Sequence, residues 1–513
     1  MSTRREFLHG TLASAIALSG TRAARGQTPA FKANPFSLGV ASGYATSDSV
    51  VLWTRVAPSP LELGGGMQAD VEVHWEVATD ARMRKVVRKG TERATSEWAH
   101  SVHAEVAGLE PARDYWYRFT VGGERSVVAR TRTAPAVGAK TARLKLAVAS
   151  CQQYEHGYYS AYQHMVRDDF DLIVHTGDYI YEVSWGESRV RHHTIPEALT
   201  LEDYRVQYAL YKSDPDLAAA HAACPWLVTW DDHEVFNDYG GDIADAPMSV
   251  EAFRARRLAA YRAYYEHMPL PAQARPSGSS MRIHAARSFG DLATLCMLDQ
   301  RQFRSPSACR NPDGRGQRRL QDCAELKDPS RTMLGREQEA WLSQQLAGSA
   351  ARWNLLAQGT VMSYIDEDPG PGQRFWADGW NGYPKARERL LHDLAERKVA
   401  NPVVLSGDVH AFIVSGLHRD AADLQSPVVA SEFVTTSVSS QGTPQKMLDG
   451  WRAANPNLLM ADGEHRGYLR LDIRRERLAA DLISLDTVKE RTSRARTLRQ
   501  YVIEADRPGP VAV

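Results

Sequence analysis

From Leu146 onward the chain repeats one constraining unit, a short run of buried-type residues that ends abruptly in side chains able to bind metals. Leu146-Ala147-Val148-Ala149-Ser150 ends at Cys151, and Leu172-Ile173-Val174-His175-Thr176-Gly177 ends at Asp178, with Tyr181 three residues on. Trp226-Leu227-Val228-Thr229-Trp230 runs into Asp231-Asp232-His233-Glu234, and Val403-Val404-Leu405-Ser406-Gly407 into Asp408-Val409-His410. Runs this short and this uniformly apolar are strands covered on both faces. Further strand candidates lie at 295–298 and 355–356, and helical periodicity occupies 159–167, 250–267, 336–346 and 385–398. Strands alternating with helices predict an α/β sheet over 143–513.

Ligands of such sheets gather beyond the carboxyl ends of the strands, so the four polar clusters should converge. Taken singly, Cys151 is a buried apolar thiol, Tyr181 a packed aromatic, Asp178 a turn or helix cap and His233 a satisfied histidine. Taken together they supply a thiolate, a phenolate, several carboxylates and two imidazoles, the donor set of a mixed, multi-metal hydrolytic site. Thiolate and phenolate favour a Lewis-acidic transition metal, with Fe(III) the best match to tyrosinate, whereas carboxylate oxygens suit a harder ion such as Ca²⁺.

The chain ahead of this region has a different period. Residues 34–135 fall into short alternating runs at 49–54, 71–77 and 115–119, punctuated by Gly, Asp and Pro. Leu109-Glu110-Pro111 followed by Tyr115 has the form of a tyrosine corner, so an immunoglobulin- or fibronectin-like β-sandwich without chemistry of its own is expected there. Residues 131–138 have the composition of a linker. At the start, Arg4-Arg5-Glu6-Phe7-Leu8 precedes a weakly apolar stretch from Thr11 to Gly20, the pattern of a twin-arginine signal over 1–30. It implies the twin-arginine export machinery as a partner, cleavage between Ala24 and Ala30, and a periplasmic or secreted product.

Composition narrows the function classes. Sixty-two basic residues balance sixty-two acidic ones, which removes the bulk charge a nucleic-acid binder needs, so no nucleic-acid partner is required. No apolar run reaches the ~18 residues of a transmembrane segment. Arg254, Arg256, Arg257 and Arg262 are expected to form a solvated helix face opposite a Phe253/Ala260/Tyr264 stripe. Gly64-Gly65-Gly66 is a loop, since no helix start follows it. Cys309 and Cys323 bracket a Gly/Pro/Arg-rich loop and either pair in an oxidising compartment or stay free, whereas Cys224 and Cys296 belong to the core.

The series Ala149-Ser150-Cys151-Gln152, Gly177-Asp178-Tyr179-Ile180-Tyr181-Glu182, Trp230-Asp231-Asp232-His233-Glu234-Val235 and Ser406-Gly407-Asp408-Val409-His410 resembles the alkaline phosphatase D (PhoD-like) family. It is more distantly similar to purple acid phosphatases. Leu38–Gly43, Leu298–Arg304, Asp378–Tyr383 and Glu432–Ser437 also match, so the likeness runs from Asn34 to about Ile473. The resemblance implies a four-layer α/β metallophosphatase sandwich behind the N-terminal all-β domain, with Fe(III) beside calcium. Carried over by motif, Cys151, Asp178, Tyr181 and His410 would hold iron, and Asp178 would bridge to calcium with Asp232 and Asp408. His233 and Asp178 would be the catalytic pair, His233 meeting the substrate or its leaving group. Phe236-Asn237-Asp238 departs from the family pattern of a polar residue and paired asparagines; it leaves one or two calcium ions open, with Asn237 and Asp238 the candidates for a second.

The expected function is an exported metal-dependent phosphoesterase that hydrolyses small phosphate monoesters, with diesters a further class, by metal-activated water. Arg301 is the candidate clamp on the substrate. A phospholipase D-like phosphodiesterase and a non-catalytic cell-surface binding protein are the competing readings.

Overall fold

A computed structural model of the chain describes residues 30–513 apart from 322, 369 and 371. The twin-arginine motif and most of the cleavage region therefore lie outside the described residues. Among those described, no helix is long and apolar enough to cross a membrane.

Two sheets form the α/β region. In the first, Arg143–Ala149, Leu172–His175 and Trp226–Val228 run parallel, and Arg466–Arg474 closes antiparallel on Arg143–Ala149, followed by Arg477–Leu485 and Ala495–Glu504. In the second, Ala293–Met297, Trp353–Ala357, Pro402–Ser406 and Val428–Val434 are parallel, flanked by antiparallel Ala285–Phe289 and Phe412–His418. Leu146, Val148, Leu172 and Val174 of the first sheet share one buried cluster with Leu295, Leu355, Val403 and Leu405 of the second, so the sheets pack face to face. Helices Arg336–Ala347 and Pro384–Glu396 cover the outer face of the second sheet through Leu342, Leu346, Leu391 and Leu394. Ser160–Asp168 and Pro215–Ala223 flank the first, with Tyr162, Met165 and Leu217 buried. This helix–sheet–sheet–helix stack is the four-layer arrangement expected from the motifs.

The N-terminal region is fibronectin-like, as expected. Val71–Ala78 pairs with Val86–Ala94 and with Asp114–Val121, and the Tyr115 hydroxyl accepts from the Glu110 backbone amide at 2.8 Å, closing the tyrosine corner. The opposing strands Val40–Gly43, Ser49–Arg55 and Ser101–Ala107 do not stop at this sandwich. They extend the first α/β sheet through a parallel bridge from Gly43 to Trp226. The segment expected to be a linker is correspondingly structured: Thr131 and Arg132 end the strand Ala129–Arg132, and the Ala134 amide donates to the Thr46 carbonyl at 2.9 Å.

Helix Val250–His267 corrects another expectation. Arg254 stays outside, but Arg256 and Arg257 are buried. Arg256 pairs with Glu197 at 2.9 Å and lies 4.8 Å from the centre of the Phe236 ring, and Arg257 pairs with Asp242 at 2.6 Å. Long side chains with partners on neighbouring loops need no solvent face. Gly64-Gly65-Gly66 forms a tight turn with all three residues at positive φ. Cys309 and Cys323 are joined in a disulfide, and Cys224 and Cys296 are buried and free.

The two regions also meet at Lys212, the last residue of helix Leu201–Lys212. Its ammonium sits 4.3 Å over the Trp53 ring and donates to the Tyr179 hydroxyl at 3.4 Å, with no carboxylate paired to it among the described residues. Burial pushes its pKa down from 10.5 to about 7. Below pH 7 the folded chain bears the full cost of charging it. Between about pH 7 and 10.5 the unfolded chain binds the extra proton, so this cost fades and stability rises with pH. Lys212→Met should therefore stabilise the protein at pH 7 by on the order of 4 kcal/mol, an advantage that shrinks toward pH 10. Urea unfolding of both proteins at pH 7 and pH 10 checks this; equal gains at the two pH values refute it.

Candidate metal centre

Each parallel strand delivers its polar residues at its carboxyl end, and glycine allows the ends to abut. Gly177 has φ +116°, and a Cβ there would lie 2.5 Å from the Asp231 Cβ; a Cβ on Gly407 would lie 2.6 Å from the Ser150 Oγ. The residues that follow are forced into the left-handed region: Cys151 (φ 57°), Asp178 (56°), Asp408 (69°) and His410 (51°). Non-glycine residues enter this region at a cost of order 1–3 kcal/mol each when surrounding structure over-determines them. Four such residues at one spot are a signature of a built site.

Three overlapping groups of donor atoms result, the members of each lying within 4.8 Å of one another: Cys151/Asp178/His410, Asp178/Asp232/His233 and Asp232/Asp238/Asp378. Asp178 links the first two groups and Asp232 the last two. Tyr181 joins the first group: its hydroxyl donates to Asp178 Oδ2 at 2.8 Å and lies 2.9 Å from His410 Nε2. Asp408 stands outside all three groups, with its Oδ2 accepting from Thr360 Oγ1 at 2.5 Å, although its charge is felt at Cys151. Asn237 contributes its backbone amide to Glu182 Oε1 at 2.9 Å.

The surroundings aim these donors. His410 Nδ1 donates to the Gln441 carbonyl at 2.8 Å, leaving Nε2 as the ligating nitrogen, and burial pushes its pKa down to about 3, keeping the ring neutral. Ser440 Oγ donates to the Cys151 carbonyl at 2.7 Å and lies 2.9 Å from the Tyr181 hydroxyl, and Arg466 grips the Ser440 carbonyl at 2.9 Å. Glu234 accepts from the amides of Asp178 (3.1 Å), Tyr179 (2.6 Å) and Asp231 (2.8 Å), clamping two strand ends together. Glu182 Oε2 accepts from His233 Nδ1 at 2.7 Å. Burial opposes a charge on His233, but Glu182, Asp232 and Asp178 outweigh it and lift its pKa well above the usual histidine range.

Arg301 is not a substrate clamp. It is wholly buried, with Nε 2.5 Å from Asp231 Oδ1 and Nη2 2.8 Å from Asp378 Oδ2, and Arg304 reaches Asp378 Oδ1 at 2.6 Å. Both guanidiniums are spent on holding acids. Asp378, Glu182 and Glu234 are the site residues without an assigned role in the sequence reading. Asp378 lies within a matching motif, but it follows the two-residue strand Phe375–Trp376 and not a long buried run.

The donor set fits metal cations. Asp178 Oδ1, Asp231 Oδ2 and Asp232 Oδ1 are buried oxygens with no hydrogen-bond partner. Burial, reinforced by neighbouring carboxylates, pushes the Cys151 thiol, Asp178 and Asp408 far up; His233 at Asp178 and Arg301 at Asp408 offset only part of that rise. Asp232 moves the other way: burial raises it, but Arg301 and His233 more than compensate. Buried, unsatisfied acids of this kind are compensated by bound cations.

Comparison with known proteins follows the same division of the chain. The family described as PhoD-like phosphatase matches residues 146–482, and its N-terminal domain matches residues 20–135. Alkaline phosphatase D of Bacillus subtilis (strain 168) is 44% identical over 525 residues, covering 99% of this chain and 88% of that protein. A solved structure of PhoD superposes with a TM-score of 0.90 at 44% identity, covering 94% of this chain and 93% of the other.

Proposed function

This chain belongs to the PhoD-like phosphatase family, and from that membership we propose that it is an exported, metal-dependent alkaline phosphatase D-like hydrolase of phosphate monoesters and diesters. The observation that carries the reading is the run of three donor groups linked through Asp178 and Asp232. Cys151, Asp178, Tyr181 and His410 would hold Fe(III), and Asp178, Asp232 and Asp408 would hold Ca²⁺. Asp232, Asp238 and Asp378 offer a place for a second Ca²⁺ despite the departure at Phe236-Asn237-Asp238. Bound there, such cations lower the pKa of water toward ~7 and neutralise phosphoryl oxygens. With its Nδ1 committed to Glu182, His233 has Nε2 free to give a proton to the departing oxygen. Glu234 and Ser440 keep the strand ends from moving as charge develops. The Cys309–Cys323 disulfide favours an oxidising destination, consistent with periplasmic location or secretion through the twin-arginine machinery.

Elemental analysis and a visible spectrum of the purified protein test this directly, alongside assays on p-nitrophenyl phosphate, its bis-ester and phosphatidylcholine. Iron held by Tyr181 gives a phenolate charge-transfer band, so Tyr181→Phe should lose colour. Full activity in metal-stripped protein, or an unchanged band in Tyr181→Phe, overturns the reading. Turnover confined to phosphatidylcholine would favour the phospholipase D-like alternative.

A further inference from the structure

Arg301 and Arg304 are sealed among the acids, so a substrate charge beyond the phosphate held by the cations would need a different partner. The segment stapled by Cys309–Cys323 carries Arg310, Arg315, Arg318 and Arg319 against two acids, Asp313 and Asp322. Arg319 is taken by Glu367 at 2.5 Å, and Arg310 by the Ala244 carbonyl at 3.3 Å. Arg318 differs. Its side chain is 72% exposed, and its only carboxylate neighbour within 4 Å among the described residues is Asp238, with Nε 3.9 Å from Oδ2.

The backbone beneath it is held firmly. Its carbonyl accepts from the Ala377 amide at 2.9 Å, the residue before Asp378, and Arg319 and Leu320 pair with Trp376 and Phe375. The Gly316 amide donates to Asp245 Oδ1, and the disulfide closes the loop. A free side chain on a pinned backbone places a guanidinium at one location without filling it. That location is one carboxylate outward from the proposed catalytic pair, because Asp238 shares Asp232 with the group that contains Asp178 and His233 but is not itself a member.

We propose that Arg318 is a specificity-determining residue that binds a second phosphate on the substrate's leaving group, so that the site prefers a terminal phosphate adjoining another, as in a nucleoside diphosphate, where water takes the terminal phosphate, the P–O–P bond breaks and the nucleoside monophosphate leaves. The proposal rests on the phosphoesterase reading above. A guanidinium suits this role because its planar donor fork matches phosphate oxygens. Its exposed position, outside the donor groups, predicts an effect on binding and not on the chemical step.

The test uses the full-length, metal-loaded enzyme with ADP and AMP, which share a nucleoside and differ by one phosphate. Wild type should show a lower KM for ADP than for AMP. Arg318→Ala should raise KM for ADP about tenfold, with kcat within about twofold and KM for AMP nearly unchanged. Arg318→Lys should retain part of the preference, and Arg318→Glu should invert it. Equal changes for ADP and AMP, or no change for either, overturn the proposal. If wild type hydrolyses neither nucleotide and leaves p-nitrophenyl phosphate and its bis-ester intact as well, the phosphoesterase reading fails on its own; wherever the nucleotides are not turned over, Arg318 is judged by calorimetric affinity, and equal ADP binding by wild type and Arg318→Ala overturns the proposal.

Discussion

Asp178→Asn is expected to lower kcat/KM for p-nitrophenyl phosphate at least about a thousandfold, roughly 4 kcal/mol of barrier, without unfolding the protein. Asp178 is the residue shared by the first two donor groups, so its loss weakens both at once. Asparagine is nearly isosteric and among the residues most tolerant of the left-handed region, so the φ of 56° is retained. The backbone amide keeps its bond to Glu234, and the loop stays in place. The amide cannot supply the negative charge that the cations require, and a terminal NH₂ beside the Tyr181 hydroxyl replaces an acceptor with a donor. Kinetics, circular dichroism and metal content should be measured on one preparation. Less than a tenfold loss with metals still bound would remove Asp178 from the chemistry.

That residue was legible because of where it stands. Parallel strands buried on both faces read as bare apolar runs, and the first polar residue after each must lie at the carboxyl edge, where the chain leaves the sheet. Cys151, Asp178, Asp232 and His410 were found by that rule. Asp378 obeys no such rule, because its place is set by a two-residue strand paired to the disulfide-stapled segment far away in sequence. Arg301 shows a second limit. An arginine near a catalytic motif looks the same in sequence whether it faces substrate or three carboxylates, and only the packing of Asp231, Asp232 and Asp378 around it decides. Helix Leu201–Lys212 escaped notice because it buries Tyr204, Gln207, Tyr208, Leu210, Tyr211 and even Lys212, and so has little polar face to set a period. Its capping box, Thr200 with Asp203, and the Asp214-Pro215 start of the next helix were the available signals. The tyrosine corner announced the N-terminal sandwich, but strand alternation does not name a partner. The continuation of that sandwich into the catalytic sheet at Gly43 and Trp226 was invisible for this reason.

Arg301→Met separates a structural cation from a substrate clamp. In wild type one guanidinium, with no exposed surface, meets Asp231 at 2.5 Å, Asp378 at 2.8 Å and Asp232 at 3.6 Å. Methionine fills much of the volume but leaves three buried carboxylates facing one another, with only Arg304 at Asp378 and His233 beside Asp232 to offset them. Removing one partner of a buried ion pair typically costs about 3–5 kcal/mol, because the remaining charge stays desolvated. Metal-stripped Arg301→Met should therefore unfold with a free energy lower by about that amount in urea titrations. Added Ca²⁺ should restore more stability to the variant than it adds to wild type, since a bound cation takes over part of the lost compensation. A clamp would behave oppositely: KM would rise while the unfolding curve in the stripped protein stayed where it was. Finding that pattern would mean that Arg301 turns outward in solution, and the assignment of the open mouth to Arg318 would lose its premise.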